Sequence, residues 1–207
     1  MDRSSLSRLI PIILIIIIAI VVISALIALG RAIFLGNVPS DQAINSGRSA
    51  LLDTAIDRSV RMNVRGPIVA DEDFHSYQIA VTPTSRTLTT YVGYLNRTLD
   101  TTALSNTTPA YEQFVYALDK ANLTKGTPLT GDMDDTRGIC ATGNVVEFEI
   151  RRAQEVVEHL WTSTCSGSKG SLDASVTQLQ NLFIRQIPNA KALINKIELS
   201  QAVLPYV

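Results

Sequence analysis

The sequence predicts an α+β fold: an antiparallel sheet ectodomain with helices on one face, preceded by an N-terminal transmembrane helix. Three observations carry this expectation. Leu9–Leu29 runs for twenty-one residues without Lys, Arg, Asp or Glu. Several segments from Ser59 onward alternate apolar and polar residues with the period of two that marks a half-buried strand. Between them lie stretches whose apolar residues recur at i, i+3, i+4 and i+7, the spacing of an amphipathic helix.

At 1.5 Å per residue the apolar run spans roughly 31 Å, about the thickness of a bilayer's hydrocarbon core. Arg3 and Arg8 precede it and Arg31 follows it, a bias that points to a cytoplasmic N-terminus and an extracytoplasmic C-terminal domain. The run is longer than a secretory signal's apolar region, although Ala28-Leu29-Gly30 leaves a cleavage site open. No Cys follows it in lipobox fashion. A pilin-like subunit is a further alternative, but the run contains no acid and lacks the Gly-aromatic site that pilins present. Gly36-Asn-Val-Pro39 breaks the helix. The expected organisation is a cytoplasmic N-terminus at 1–8, a signal anchor at 9–35, a juxtamembrane linker and helix at 36–58, and an extracytoplasmic domain at 59–207.

Charge is nearly balanced, with 18 Lys and Arg against 19 Asp and Glu. No basic block occurs, so neither a nucleic-acid footprint nor a polybasic membrane-surface patch is expected. The expected partners are the lipid bilayer and an envelope or surface protein, with oligomeric state left open.

After the break, Ser40 is the expected N-cap, and Ala43, Ile44, Gly47, Leu51 and Ala55 fall at helical spacing through Asp57. Val60, Met62 and Val64 then alternate with Arg61, Asn63 and Arg65 as a strand with one wet face. Phe74–Thr82 gives a second strand (Tyr77, Ile79 and Val81 on one side), and Leu88, Thr90 and Val92 a third, together an antiparallel meander. Thr98–Thr108, rich in Ser, Thr, Asn and Asp, reads as a polar loop. Thr108, as cap, and Pro109, at the first helical position, open a helix from about Pro109 to Asn122, with Tyr111, Phe114, Val115 and Leu118 as its apolar stripe.

Lys125–Gly138 is a loop by composition. Its acids invite a calcium reading, but counting from Asp132 the positions that an EF-hand reserves for Gly and Glu hold Arg137 and Gly143. Val146, Phe148 and Ile150 alternate with Glu147 and Glu149, and Val157, His159 and Trp161 alternate with Glu158 and Leu160. The pattern predicts a hairpin turning near Arg152–Gln154, with a helix over Arg151–Trp161 as the rival reading. Leu172–Gln186 is helical until Pro188, and Leu193, Ile194 and Ile197 suggest a short final helix.

Cys140 and Cys165 are the chain's two cysteines. Beyond a membrane an even pair is most simply a disulfide, with two buried thiols as the alternative. Metal ligation lacks the C-x-x-C or nearby His that zinc requires.

Gly-Ile-Cys140-x-Thr-Gly143, Phe148-Glu-Ile150, Leu160-Trp-Thr-Ser-x-Cys165 and Leu182-Phe-x-x-Gln-Ile-Pro188, together with the anchor, resemble an uncharacterised family of single-pass, disulfide-containing, membrane-anchored envelope proteins from bacteria with reduced genomes. The resemblance implies a location and an architecture. It carries over no catalytic residue.

Candidate chemistry is sparse. His75 and His159 are the two histidines, and His159 reads as a structural strand residue. No nucleophile-elbow, Walker, zincin or Rossmann pattern occurs, so no cofactor, metal or catalytic residue is expected. Glu147 and Glu149 share a strand face and form a carboxylate pair by spacing, which would suit a hydrolase; with Glu158 and Arg151 near them, a solvated, salt-bridged face is the simpler expectation. Asn-x-Thr sequons at Asn96, Asn106 and Asn122 are about as many as chance supplies in so Asn- and Thr-rich a chain. The leading expectation is a non-enzymatic, membrane-anchored binding or assembly protein, with an unrecognised hydrolase as the alternative.

Overall fold

In a computed structural model of the chain, residues 41–197 are described, with side chains from residue 46 onward. The expected anchor, its orientation, the Ala28-Leu29-Gly30 alternative, the break at Gly36–Pro39 and the chain beyond Ile197 all lie outside the described residues. Among the described residues no helix is long and apolar enough to cross a membrane.

Helix α1 (Asp41–Leu52) leads into strand β1 (Arg58–Arg65). A short 3-10 turn at Asp71–Asp73 precedes β2 (His75–Val81), β3 (Ser85–Val92) and β4 (Arg97–Ser105). Helix α2 (Thr108–Lys120) follows, then a long loop containing a 3-10 turn at Gly131–Asp134, the β5 (Val145–Arg152)–β6 (Glu155–Ser163) hairpin, and helices α3 (Val176–Ile184) and α4 (Ala190–Asn195). The six strands form one antiparallel sheet in the order β4-β3-β2-β1-β5-β6.

The period-two alternation places Val60, Met62 and Val64 of β1 on the same face as Tyr77, Ile79 and Val81 of β2 and Val146, Phe148 and Ile150 of β5. The helices cover this inner face. Leu51 of α1, Tyr111, Phe114, Val115 and Leu118 of α2, and Leu179 and Phe183 of α3 complete the core. Phe183 meets Phe114 edge-on at 5.1 Å between ring centroids and Phe148 at 5.8 Å, so three elements converge on one aromatic cluster. A forked ion pair from Arg48 to Asp119 ties α1 to α2.

Four expectations need correction. Thr98–Thr108 is mostly the edge strand β4, not a loop. Its residues are exposed or half-exposed on both sides, so no core-facing alternation marks it. Helix α1 ends at Leu52, short of Asp57, where Asp53 accepts hydrogen bonds from the Ala55 amide and Arg58 and turns the chain into β1. The cap of α2 is Thr107, not Thr108, with its hydroxyl accepting from the Ala110 amide. Helix α3 begins at Val176 under a Ser175 cap, later than Leu172, because Leu172 is held in a bridge to Gly126.

Losing the α2 cap leaves a helix-end donor without its partner. Thr107→Ala is therefore expected to destabilise the domain by about 1 kcal/mol, lowering the thermal midpoint by roughly 2–4 °C when followed by circular dichroism.

Candidate functional site

The opposite, outer face of the sheet carries the polar half of every strand. Cross-strand register builds it as ladders. Tyr91, Ser76 and Arg65 stand side by side on β3, β2 and β1. The next rung is Thr89, Gln78, Asn63, Glu147 and Trp161, and the one after it Thr87, Ala80, Arg61, Glu149 and His159.

The loop between α2 and β5 lies against the β1, β5 and β6 side of this face. Arg65 donates through Nη2 to the carbonyls of Thr136 and Ile139, and the Thr136 hydroxyl donates to Glu147 Oε1. His159 Nδ1 sits 2.9 Å from both Asp134 oxygens. Cys140 and Cys165 are joined in a disulfide with 5.4 Å between their Cα atoms, clasping the open ends of the β5–β6 hairpin. Beneath it Cys140, Val145 and Trp161 form a small second core with Leu129 and Ile139. Gly170 lets the chain fold back over Trp161: its φ is 72°, and a Cβ there would stand 2.2 Å from the Trp161 carbonyl oxygen.

Where the loop stops, the face opens into a hollow of about 280 Å³. Its floor follows from residue size, since Ser76 is short and its rung neighbours Tyr91 and Arg65 are long. Gln78, Asn63 and Glu147 form a second side. Phe74, stacked on Tyr94 at 4.1 Å, closes one end, and Asn96, turned into the left-handed region at φ 53°, stands at the rim.

The charged groups here are already engaged. Burial lowers the Arg65 pKa, with the neighbouring Glu147 carboxylate acting the other way. Glu149 accepts from Asn63 at 3.4 Å and pairs with Arg151 at 2.6 Å, while Asn63 Oδ1 accepts from Gln78 Nε2 at 2.8 Å. The predicted carboxylate pair thus shares a face as expected, but only Glu147 lines the hollow.

Glu158 is a correction. The sequence expects it beside Glu147 and Glu149 on a solvated face, yet it lies on the inner face, 8% exposed, opposite Ile150. Its carboxyl rests on Gly47 of α1, where an added Cβ would fall 1.4 Å from Oε2. Among the described residues Oε2 has no hydrogen-bond partner, and burial pushes the carboxyl up to about 7. His75 Nδ1 lies 2.9 Å from the Asp73 carbonyl oxygen, a local turn contact. Among the described residues no group of three or more His, Cys, Asp or Glu is arranged to hold a metal.

Sequence reasoning passes over Ser76, Gln78 and Tyr91 and meets Asn96 only as a sequon. The available signal is the outward phase of the first three on β2 and β3, which marks a wet position without revealing which wet positions become neighbours. No protein-family model matches the chain, and no curated protein matches it at a significant level.

Proposed function

We propose that the protein is a membrane-anchored, extracytoplasmic binding or assembly protein that works without catalysis. Its apolar Leu9–Leu29 run holds the sheet domain at the outer surface of a bilayer. The observation that carries the binding role is the hollow on the outer face, whose walls are pre-set by cross-strand pairing and by the disulfide-closed loop. Ligand sites are characteristically concave and pre-formed, with a few convergent polar groups. Glu147 and Glu149 speak for binding over hydrolysis: one is capped by Thr136, and the other is tied to Arg151 and Asn63, leaving no pair poised across a shared substrate bond.

Protease added to intact cells tests the topology. The domain after residue 58 is expected to be digested from outside while a tag at the N-terminus survives. Protection of the domain in intact cells, with digestion only after lysis, would overturn the proposal.

A further inference from the structure

We propose that the hollow around Ser76 binds a neutral saccharide, an inference that deepens the binding role above and rests on it. Charge balance argues against an ionic ligand. Arg65 and Glu147 are the two ionic groups at the hollow and they offset one another, and each already spends hydrogen bonds on the loop: Arg65 on the Thr136 and Ile139 carbonyls, Glu147 on the Thr136 hydroxyl. An ionic ligand would have to compete with those contacts and would leave one charge of the pair uncompensated.

Beside the remaining Arg65 nitrogens and Glu147 Oε2, which belong to the offsetting pair, what is uncommitted among the described residues is neutral and two-handed. The Ser76 and Tyr91 hydroxyls and the Asn96 side-chain amide make no hydrogen bond to another described residue, and Gln78 uses Nε2 on Asn63 but keeps Oε1 free. Hydroxyls both donate and accept, amides offer both kinds of atom, and a free carbonyl oxygen accepts. The complement of such a set is a ligand whose own groups do both at several points around a compact ring. A saccharide meets that description, whereas a phosphate or carboxylate offers acceptors alone. Tyr91 adds an aromatic wall able to take the apolar face of a sugar ring. The site also has a plain steric basis, because its floor exists only while residue 76 is small.

The test uses the full chain in lipid nanodiscs, which carry no sugar detergent, with glucose, N-acetylglucosamine and their β1,4-linked dimers as probes and glucuronate and glucosamine as charged comparators. Saturation-transfer NMR is expected to show contact to at least one neutral probe and weaker contact to the charged ones. Ser76→Phe fills the hollow with a strand-compatible side chain and is expected to abolish the signal, while Gln78→Ala weakens binding by about fivefold to tenfold, the loss of one neutral hydrogen bond. Lys125→Ala, at a residue that does not line the hollow and pairs with Asp173, should bind as the native chain does. Circular dichroism confirms that each variant is folded, and Gln78→Ala serves if Ser76→Phe is not.

Absence of transfer to every neutral probe overturns the inference, as does transfer that is unchanged in both variants or strongest with a charged probe. Failure here is separable from failure of the broader role. A domain digested from outside intact cells but blind to saccharides removes the ligand and leaves the topology, and a saccharide-binding domain on the cytoplasmic side does the reverse.

Discussion

Replacing Cys140 and Cys165 together by Ser is expected to lower unfolding stability by about 3 kcal/mol, as the chain-entropy model gives for a closed loop of this size. The bridge spans 25 residues of sequence, and those residues include the whole β5–β6 hairpin. Its effect reaches further than the unfolded chain. Cys140 and Cys165 lie over Trp161, which is 4% exposed and is the protein's one tryptophan. Guanidinium denaturation followed by Trp161 emission therefore reads the loss directly, with a lower midpoint expected for the double variant. Mass spectrometry after alkylation of unreduced protein should find the two cysteines linked. Free alkylation of both thiols would contradict the bridge, and an unchanged midpoint would remove its contribution to stability.

Stability is expected to fall as pH rises from about 4.5 to about 7, and Glu158→Gln should flatten that stretch. In the unfolded chain the carboxyl ionises near its ordinary value of 4.5, whereas in the fold burial delays ionisation to about 7. Below the lower value the group is neutral in both states and costs nothing. Between the two the unfolded chain gains charge and the folded one does not, so stability drops with each step in pH; above the upper value the dependence levels off. The steepest possible decline is about 1.4 kcal/mol for each step of one in pH, and partial solvent access brings the total to about 2 kcal/mol. Among the described residues no cation offsets the charge. Of the described residues against Glu158, Gly47 of α1 and its cross-strand partner Ile150 are both uncharged. Urea titrations at pH 4.5 and pH 8 provide the measurement. The variant should gain about 2 kcal/mol over the native chain at the higher pH and little at the lower; equal pH dependence in both proteins would refute the assignment.

Glu158 also marks where sequence reading reaches its limit. β1, β2 and β3 are legible because one face meets helices and the other meets water, so hydropathy alternates with the pleat. β6 breaks that equation. His159 and Trp161 sit on the outer face, where the loop before β5 covers Trp161, while Glu158 occupies the inner face. Nothing local announces that a distant loop will shelter one strand from behind. β4 is illegible for the opposite reason: most of both its faces is wet and only Leu104 packs against the core, so its pairing with β3 has almost no hydrophobic signature. The hairpin, the cysteine pair and the α2 stripe are legible because each depends on residues close in sequence or on pairing by count. The hollow is not, since Ser76, Tyr91 and Gln78 become neighbours only through register.

The strand order has a consequence for the time course of folding. β1 to β4 form a meander of short-range pairings that the chain can complete once Ser105 has been made. β1 stands in the middle of the finished sheet, and its other neighbour pairs Arg58 with Arg152. During synthesis, then, β1 waits with one side unpaired while the chain from Asn106 through β5 is added, at a pace of about 5–20 residues per second. For those seconds its backbone donors and acceptors, and the row Val60, Met62 and Val64, are a template for any passing strand. Arg61 and Arg65, spaced along that same strand, place positive charge beside the open edge and so discourage two nascent copies from joining there.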